Sequence, residues 1–157
     1  LPMPCVPPLR IGLISDTHGL LRPQALAAMR DCVAIVHAGD IGKPEILDAL
    51  RALAPLHAIR GNIDTAPWAQ ALPDTLDVDI AGIRLHVLHD LKTLARDPAC
   101  VDVVVSGHSH KPLLQSRDGV LYVNPGSAGP RRFSLPIGVG YLHLQADGIR
   151  GELHALT

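Results

Sequence analysis

Aromatic residues are nearly missing from this 157-residue chain: Trp68, Tyr122, Phe133 and Tyr141 make up 3% of it. Its core must therefore be aliphatic. An excess of charge of either sign is missing too. A net charge of -1 gives no global basic field for nucleic acid or an anionic membrane, so affinity for phosphate has to be built locally, by a metal or a few arginines. The three cysteines, Cys5, Cys32 and Cys100, are odd in number and form no C-x-x-C pair. Cys32 and Cys100 read as small apolar residues beside strands, which suits a reducing cytoplasm. No apolar run reaches the roughly 20 residues needed to span a bilayer. Residues 1–8 lack the apolar segment of a signal peptide and carry prolines that block regular structure; a flexible tail is expected there, followed by one domain over 9–157. Neither an internal repeat nor a low-complexity segment is present. What remains, 47% hydrophobic and 18% charged residues, describes a soluble globular domain with a real core.

Read in order, short apolar runs alternate with glycine-closed polar loops. Strands are expected at 10–14, 33–36 and 56–59, with helices at 23–30 and 44–53, each opened by a proline in its first turn. Glu45 near the start of the second helix and Arg51 near its end complement its dipole. Such strand–loop–helix units suggest right-handed crossovers and a parallel sheet. Behind them, 75–80 with 83–88, 113–116 with 120–123, and 137–145 with 149–154 read as hairpins around Ala81-Gly82, Arg117-Asp118-Gly119 and Ala146-Asp147-Gly148. A short helix is expected over 91–96 and a buried strand over 101–105. The rear of the chain therefore reads as mostly antiparallel.

Five of these strands end in residues able to hold a metal: Asp16 and His18, then Asp40, Asn62, His89, and finally His108 and His110. In open α/β sheets, sites form beyond the carboxyl ends of strands. Histidines, carboxylates and one amide oxygen suit manganese, iron, cobalt, nickel or zinc better than calcium or magnesium. Seven candidates exceed the needs of one tetrahedral ion and suit two divalent ions sharing a carboxylate. A pair of ions about 3.5–4 Å apart is the usual clamp for in-line attack on phosphorus. Two dications against two carboxylates and one hydroxide would leave roughly one positive charge, ready for a phosphate anion.

Asp-Thr-His at 16–18, Gly-Asp at 39–40, Gly-Asn at 61–62, His89 and Gly-His-Ser-His at 107–110 together resemble the motif series of calcineurin-like metallophosphoesterases. Gly-Asn-x-Asp at 61–64 and Asn-Pro-Gly-Ser at 124–127 bring the small YfcE-type branch nearest, and the resemblance runs from about Arg10 to Ser127. It implies an α/β fold of two packed β-sheets flanked by helices, in αββα layers. It implies that Asp16, His18 and His110 hold one ion, that Asn62, His89 and His108 hold the other, and that Asp40 bridges them. It also implies a metal-bridging hydroxide as nucleophile, Asn62 as a stabiliser of phosphoryl charge, two divalent transition ions with manganese foremost, and a small phosphoester, chiefly a diester, as substrate.

Two positions depart from the family. Ile63 stands where many members carry a histidine that protonates the leaving group. Asp90 follows His89 where glycine is usual. Asp64 is read either as a hydrogen-bonding support behind the ligands or as a plain turn residue, and His37 stands near enough to Asp40 for such a role. Asn124, Arg131 and Arg132 are candidates for substrate contact, with a structural turn or a solvated pair as the alternatives. His57, His86, His143 and His154 read as surface or structural histidines. The sequence leaves self-association open. The competing function is a scaffold of the same fold with weak or no catalysis; seven intact ligand positions favour the enzyme.

Overall fold

Punctuation by glycine and proline divides the chain into short elements in the computed structural model, which describes residues 9–94, 101–131, 134–145 and 148–156. In order these are β1 (Leu9–Ile14), α1 (Pro23–Ala28), β2 (Ala34–His37), α2 (Pro44–Arg51), β3 (Leu56–Ala58), β4 (Thr75–Ile80), β5 (Ile83–Leu88), β6 (Val103–Val105), β7 (Leu113–Arg117), β8 (Val120–Asn124), β9 (Gly138–Gln145) and β10 (Gly148–Ala155). Single 3-10 turns occupy Pro67–Ala71 and Leu91–Thr93. The second replaces the start of the expected 91–96 helix, whose last two residues lie outside the described ones. Helix α2 places Ile46, Leu47 and Leu50 on one buried face, with Pro44 at its start, Glu45 in its first turn and Arg51 in its last.

The strands form two five-stranded sheets, ordered β10-β9-β1-β2-β3 and β4-β5-β6-β8-β7. In the first, β1, β2 and β3 are parallel as expected, and β9 returns to pair antiparallel with β1. The second departs from the mostly antiparallel expectation: β5–β6 and β6–β8 are parallel, and antiparallel pairing is confined to the β4–β5 and β7–β8 hairpins. The reason lies in β6, whose three valines are all buried. A strand covered on both faces reads as an unbroken apolar run, the mark of a central parallel strand.

Three apolar layers result. Ile11, Leu13 and Val36 of the first sheet meet Leu85, Val103 and Val123 of the second between the sheets. Met29, Ile46 and Leu50 cover the outer face of the first sheet, and Trp68 packs there as well. Leu91 and Leu94 cover Val104, Val120 and Tyr122 on the outer face of the second. Where a second helical layer was expected, the described residues thus supply one 3-10 turn. Cys32 is buried in the first outer layer; Cys5 and Cys100 lie outside the described residues. The consequence for function is topological. Parallel β1, β2 and β3 and parallel β5, β6 and β8 each release their carboxyl-terminal loops at one edge, and those loops carry every candidate ligand.

Candidate metal centre

Backbone bonds zip the ligand loops together. Asp16 N–H donates to Gly39 O (3.0 Å), His18 N–H to Asp40 O (2.8 Å), Gly107 N–H to His89 O (2.9 Å) and Ala128 N–H to Ser15 O (3.0 Å). Five candidate ligands sit in left-handed backbone: Asp16 (φ 55°), His18 (46°), Asp40 (56°), His108 (72°) and His110 (61°). Each such residue costs about 1–3 kcal/mol and persists only where its surroundings over-determine it. Asp and His tolerate that region better than most residues. Close approach is enforced at Gly61, where a Cβ would lie 2.2 Å from Asp40 Oδ1, and at Gly107, where it would lie 2.1 Å from Ser15 Oγ.

The fold holds one oxygen of each carboxylate and presents the other. Asp16, fully buried, accepts at Oδ2 from Ser15 Oγ (2.8 Å) and His108 N–H (3.1 Å). Its Oδ1 is buried without a hydrogen-bond partner among the described residues and lies 3.6 Å from His110 Nε2 and 3.8 Å from His18 Nε2. Asp40 accepts at Oδ1 from Ile63 N–H (3.1 Å). Its Oδ2 lies 3.4 Å from His18 Nε2 and 3.1 Å from His89 Nε2. Two triads emerge, Asp16–His18–His110 and Asp40–His89–His108, each with ligand atoms within 4.8 Å of one another. The rings divide the same way: His18 pairs with His110 and His89 with His108, both at 5.1 Å between centroids.

The electrostatics call for a cation. His89 Nδ1 lies 2.8 Å from the Ala38 carbonyl, which can only accept, so Nδ1 carries the proton and the neutral ring's lone pair sits on Nε2. That lone pair faces Asp40 Oδ2 at 3.1 Å, an arrangement that repels unless a proton or a metal lies between. In the protein alone the same neighbours favour a proton there. Burial works against a charged His89, yet the Asp40 carboxylate and the Ala38 carbonyl outweigh it and raise its pKa. Asp40 mirrors this: burial would raise it, but His89, Ile63 N–H and His18 hold it at about 2. His108 Nδ1 is also buried without a hydrogen-bond partner among the described residues. Imidazole nitrogens with two carboxylates fit divalent transition ions.

Two buried side chains stand behind the candidate ligands. Asp64 is buried and accepts from Ile41 N–H (3.0 Å), Gly42 N–H (3.0 Å) and Gly61 N–H (2.8 Å), tying the Asp40 loop to the Asn62 loop. Three backbone N–H groups thus converge on this one carboxylate. His37, fully buried, accepts from Gly39 N–H at Nδ1 (3.1 Å), so its Nε2 donates to Thr17 Oγ1 (3.1 Å), which donates to Ile41 O (2.8 Å). One neutral ring thus joins the loops carrying Asp16 and Asp40. Ser15 and Thr17 had no sequence signal beyond flanking Asp16.

Burial holds His37 neutral, with its pKa lowered from 6.5 to about 4. A depressed basic group takes up its proton more readily when unfolded. Its contribution is therefore complete above pH 6.5 and is lost as pH falls toward 4, about 3 kcal/mol in all. Denaturant titrations of metal-free protein at pH 7 and pH 4.5 should show a smaller pH effect in His37→Gln than in the parent. Equal slopes would contradict the neutral buried ring.

The remaining candidates fall on both sides of the centre's rim. Asn62 and Ile63 are exposed, the latter 45%, and the His108 side chain is 43% exposed, so this side is open. Asp90 borders it, with Oδ2 3.9 Å from His108 Nε2 and Oδ1 accepting from Lys92 N–H. Asn124 is buried with its amide committed: Nδ2 donates to Gly107 O and Ser109 Oγ, and Oδ1 accepts from Gly126 N–H. Its visible work is holding the histidine loop. Ser127 Oγ lies 3.2 Å from Asp16 O and 2.8 Å from Pro130 O. Arg131 is exposed, and Arg132 and Phe133 lie outside the described residues. His86 pairs with Asp77 (2.9 Å) and His143 with Glu152 (2.6 Å), His57 is half-buried and His154 stacks near Tyr141, all away from the ligand set.

The model of the calcineurin-like phosphoesterase superfamily domain matches residues 9–147. The chain belongs to this superfamily. It is 32% identical over 158 residues to a probable metallophosphoesterase of Methanothermobacter thermautotrophicus, an alignment covering 91% of the chain and 90% of that protein. Phosphodiesterase YfcE of Escherichia coli K12 is 30% identical over 164 residues, covering 85% of the chain and 87% of YfcE. The structure of vacuolar protein sorting 29 from Cryptosporidium parvum superposes with a TM-score of 0.75 at 20% identity, over 88% of this chain and 86% of that one, a likeness that speaks to the fold. Calcineurin-like phosphoesterases hydrolyse phosphoesters with divalent metals, and this chain is a metal-dependent phosphoesterase.

Proposed function

We propose that the chain is a dinuclear phosphodiesterase in which Asp16, His18 and His110 hold one divalent transition ion, His89, His108 and Asn62 hold a second, and Asp40 is shared through Oδ2. One observation carries this reading: Oδ2 lies within 3.4 Å of a histidine from each triad, while Oδ1 is tied back to Ile63 N–H. The donor set suits manganese, iron, nickel, cobalt or zinc better than calcium or magnesium, and manganese is the ion proposed first. Bound ions would supply an acidified water as nucleophile and positive charge for the phosphoryl oxygens.

The chain's own groups do the rest. Asn62, exposed at the open side, presents an amide that can also donate to a phosphoryl oxygen as charge builds there. Asp64 and His37 keep the ligand loops in register. Ile63 has no proton to give, so the substrate's leaving group must depart unaided or take its proton from water or another residue, which favours good leaving groups. Rates across aryl phosphodiesters should rise steeply as leaving-group pKa falls; a flat dependence contradicts this.

Asp90 bears on the choice between mono- and diester. Its carboxylate at the open side repels a dianionic monoester more than a monoanionic diester. Asp90→Asn should raise monoester kcat/KM about fivefold relative to diester, the worth of one partly screened charge contact. Equal change for both substrates would remove Asp90 from that role. The reading as a whole is tested by adding manganese, nickel, cobalt or zinc to metal-stripped protein with bis-aryl phosphate as substrate. Turnover restored by metal supports it; none with any ion, alongside a stable protein partner, supports the scaffold.

A further inference from the structure

We infer that the cavity beside the 106–110 loop receives the organic arm of the ester, and that this arm is an apolar body carrying its own negative charge. This rests on the diesterase reading, which leaves that arm unspecified. The cavity has a volume of about 470 Å³. That suits a ring-sized organic group and exceeds what a bare phosphate fills. Its lining includes Gly107 and Ser109, the residues flanking His108, together with Asp90, the residue after His89. An ester whose phosphorus sits at the histidines can therefore lay one arm directly into it.

The chemistry of the lining names the arm. Leu91, Pro112 and Leu113 provide apolar wall, each half-buried. Asn124 and Asp90 Oδ1 are hydrogen-bonded within the protein, and the Asp90 charge lies toward the histidines, its Oδ2 3.9 Å from His108 Nε2. Asn124 Nδ2 serves Gly107 O and Ser109 Oγ, and Asp90 Oδ1 serves Lys92 N–H. Two exposed ammonium groups, Lys92 and Lys111, remain at the rim. A neutral arm would bury its apolar body and leave both cations unused. An arm ending in a carboxylate or phosphate would use both wall and rim, since charge-assisted hydrogen bonds are the stronger kind. The cavity across Asp90, about 300 Å³, differs in kind: Arg60, Asp74, Thr75 and Thr93 line it with Asn62 and His89, and Arg60 is already paired with Asp74. It suits water or a small hydrophilic arm.

The test separates this site from the hydrolytic reading by starting without metal. EDTA-stripped protein is titrated with 6-hydroxy-2-naphthoate and with 2-naphthol, followed by amide chemical shifts. The naphthoate should bind at least tenfold more tightly and shift residues 106–113. The double variant Lys92→Ala/Lys111→Ala should erase that advantage while naphthol still binds. In metal-loaded protein, the methyl phosphodiester of the naphthoate should show the lower KM, and the double variant should erase the difference. Equal binding of the two probes, shifts elsewhere, or an advantage that survives loss of both lysines would overturn the inference. Lysine-dependent naphthoate binding without hydrolysis by any metal-loaded form would uphold the cavity and overturn only the diesterase reading.

Discussion

Asp40→Asn should deprive the chain of both cations at once and lower phosphodiester turnover more than about 10³-fold, beyond the loss of a single transition-state donor. The reason is the geometry of one oxygen. Asp40 Oδ2 faces His18 at 3.4 Å and His89 at 3.1 Å, one from each triad. An amide there halves the negative charge available to two dications and can turn its NH2 toward them. Elemental analysis after dialysis should find both ions reduced together. His108→Ala and His110→Ala should behave differently, each lowering one ion preferentially, because His108 belongs with His89 and His110 with His18. Two ions per chain with full activity in Asp40→Asn would remove Asp40 from the shared position.

The second large effect is expected at a residue that touches no ion. Asp64→Ala removes the acceptor of three backbone N–H groups, those of Ile41, Gly42 and Gly61. An unsatisfied buried donor costs about 1–3 kcal/mol, and water can reach the two part-buried ones, so a loss of about 3–5 kcal/mol is expected from denaturant unfolding of the metal-free protein. The loops bearing Asp40 and Asn62 would also lose their common anchor, and metal affinity should fall about 10–100-fold, the usual cost of losing a support behind the ligands. Asp64→Asn, which keeps one accepting oxygen, should fall between. A change below about 0.5 kcal/mol in Asp64→Ala would return it to the status of an ordinary turn residue.

What could be read in advance follows the range of the forces involved. The hairpins at Ala81-Gly82 and Asp118-Gly119 are local, each placing two residues at positive φ, and their strands were readable nearly to the residue. Helix starts were readable from Pro23 and Pro44. Their ends were not, because neither helix has a glycine cap, and both stop short of the expected residue. The parallel centre of the second sheet was missed because β7 intervenes between β6 and β8 and its hairpin with β8 reads as antiparallel, although three successive buried valines carried the signal. The candidate ligands were readable as residue types beside glycines at strand ends. Their division of labour within each carboxylate was not, since Ile63 and His108 hold those oxygens through contacts 23 and 92 residues apart in the chain. His37 and Asp64 were legible as candidates; that one is a neutral tie and the other a clamp depends on N–H groups up to 23 residues away.

The most direct measurement is anomalous diffraction from crystals grown with manganese or zinc. Two peaks per chain are expected, one among Asp16 Oδ1, His18 and His110 and one among His89, His108 and Asn62, with Asp40 Oδ2 contacting both. A single peak, or peaks at His86, His143 or His154 with the two triads bare, would contradict the account.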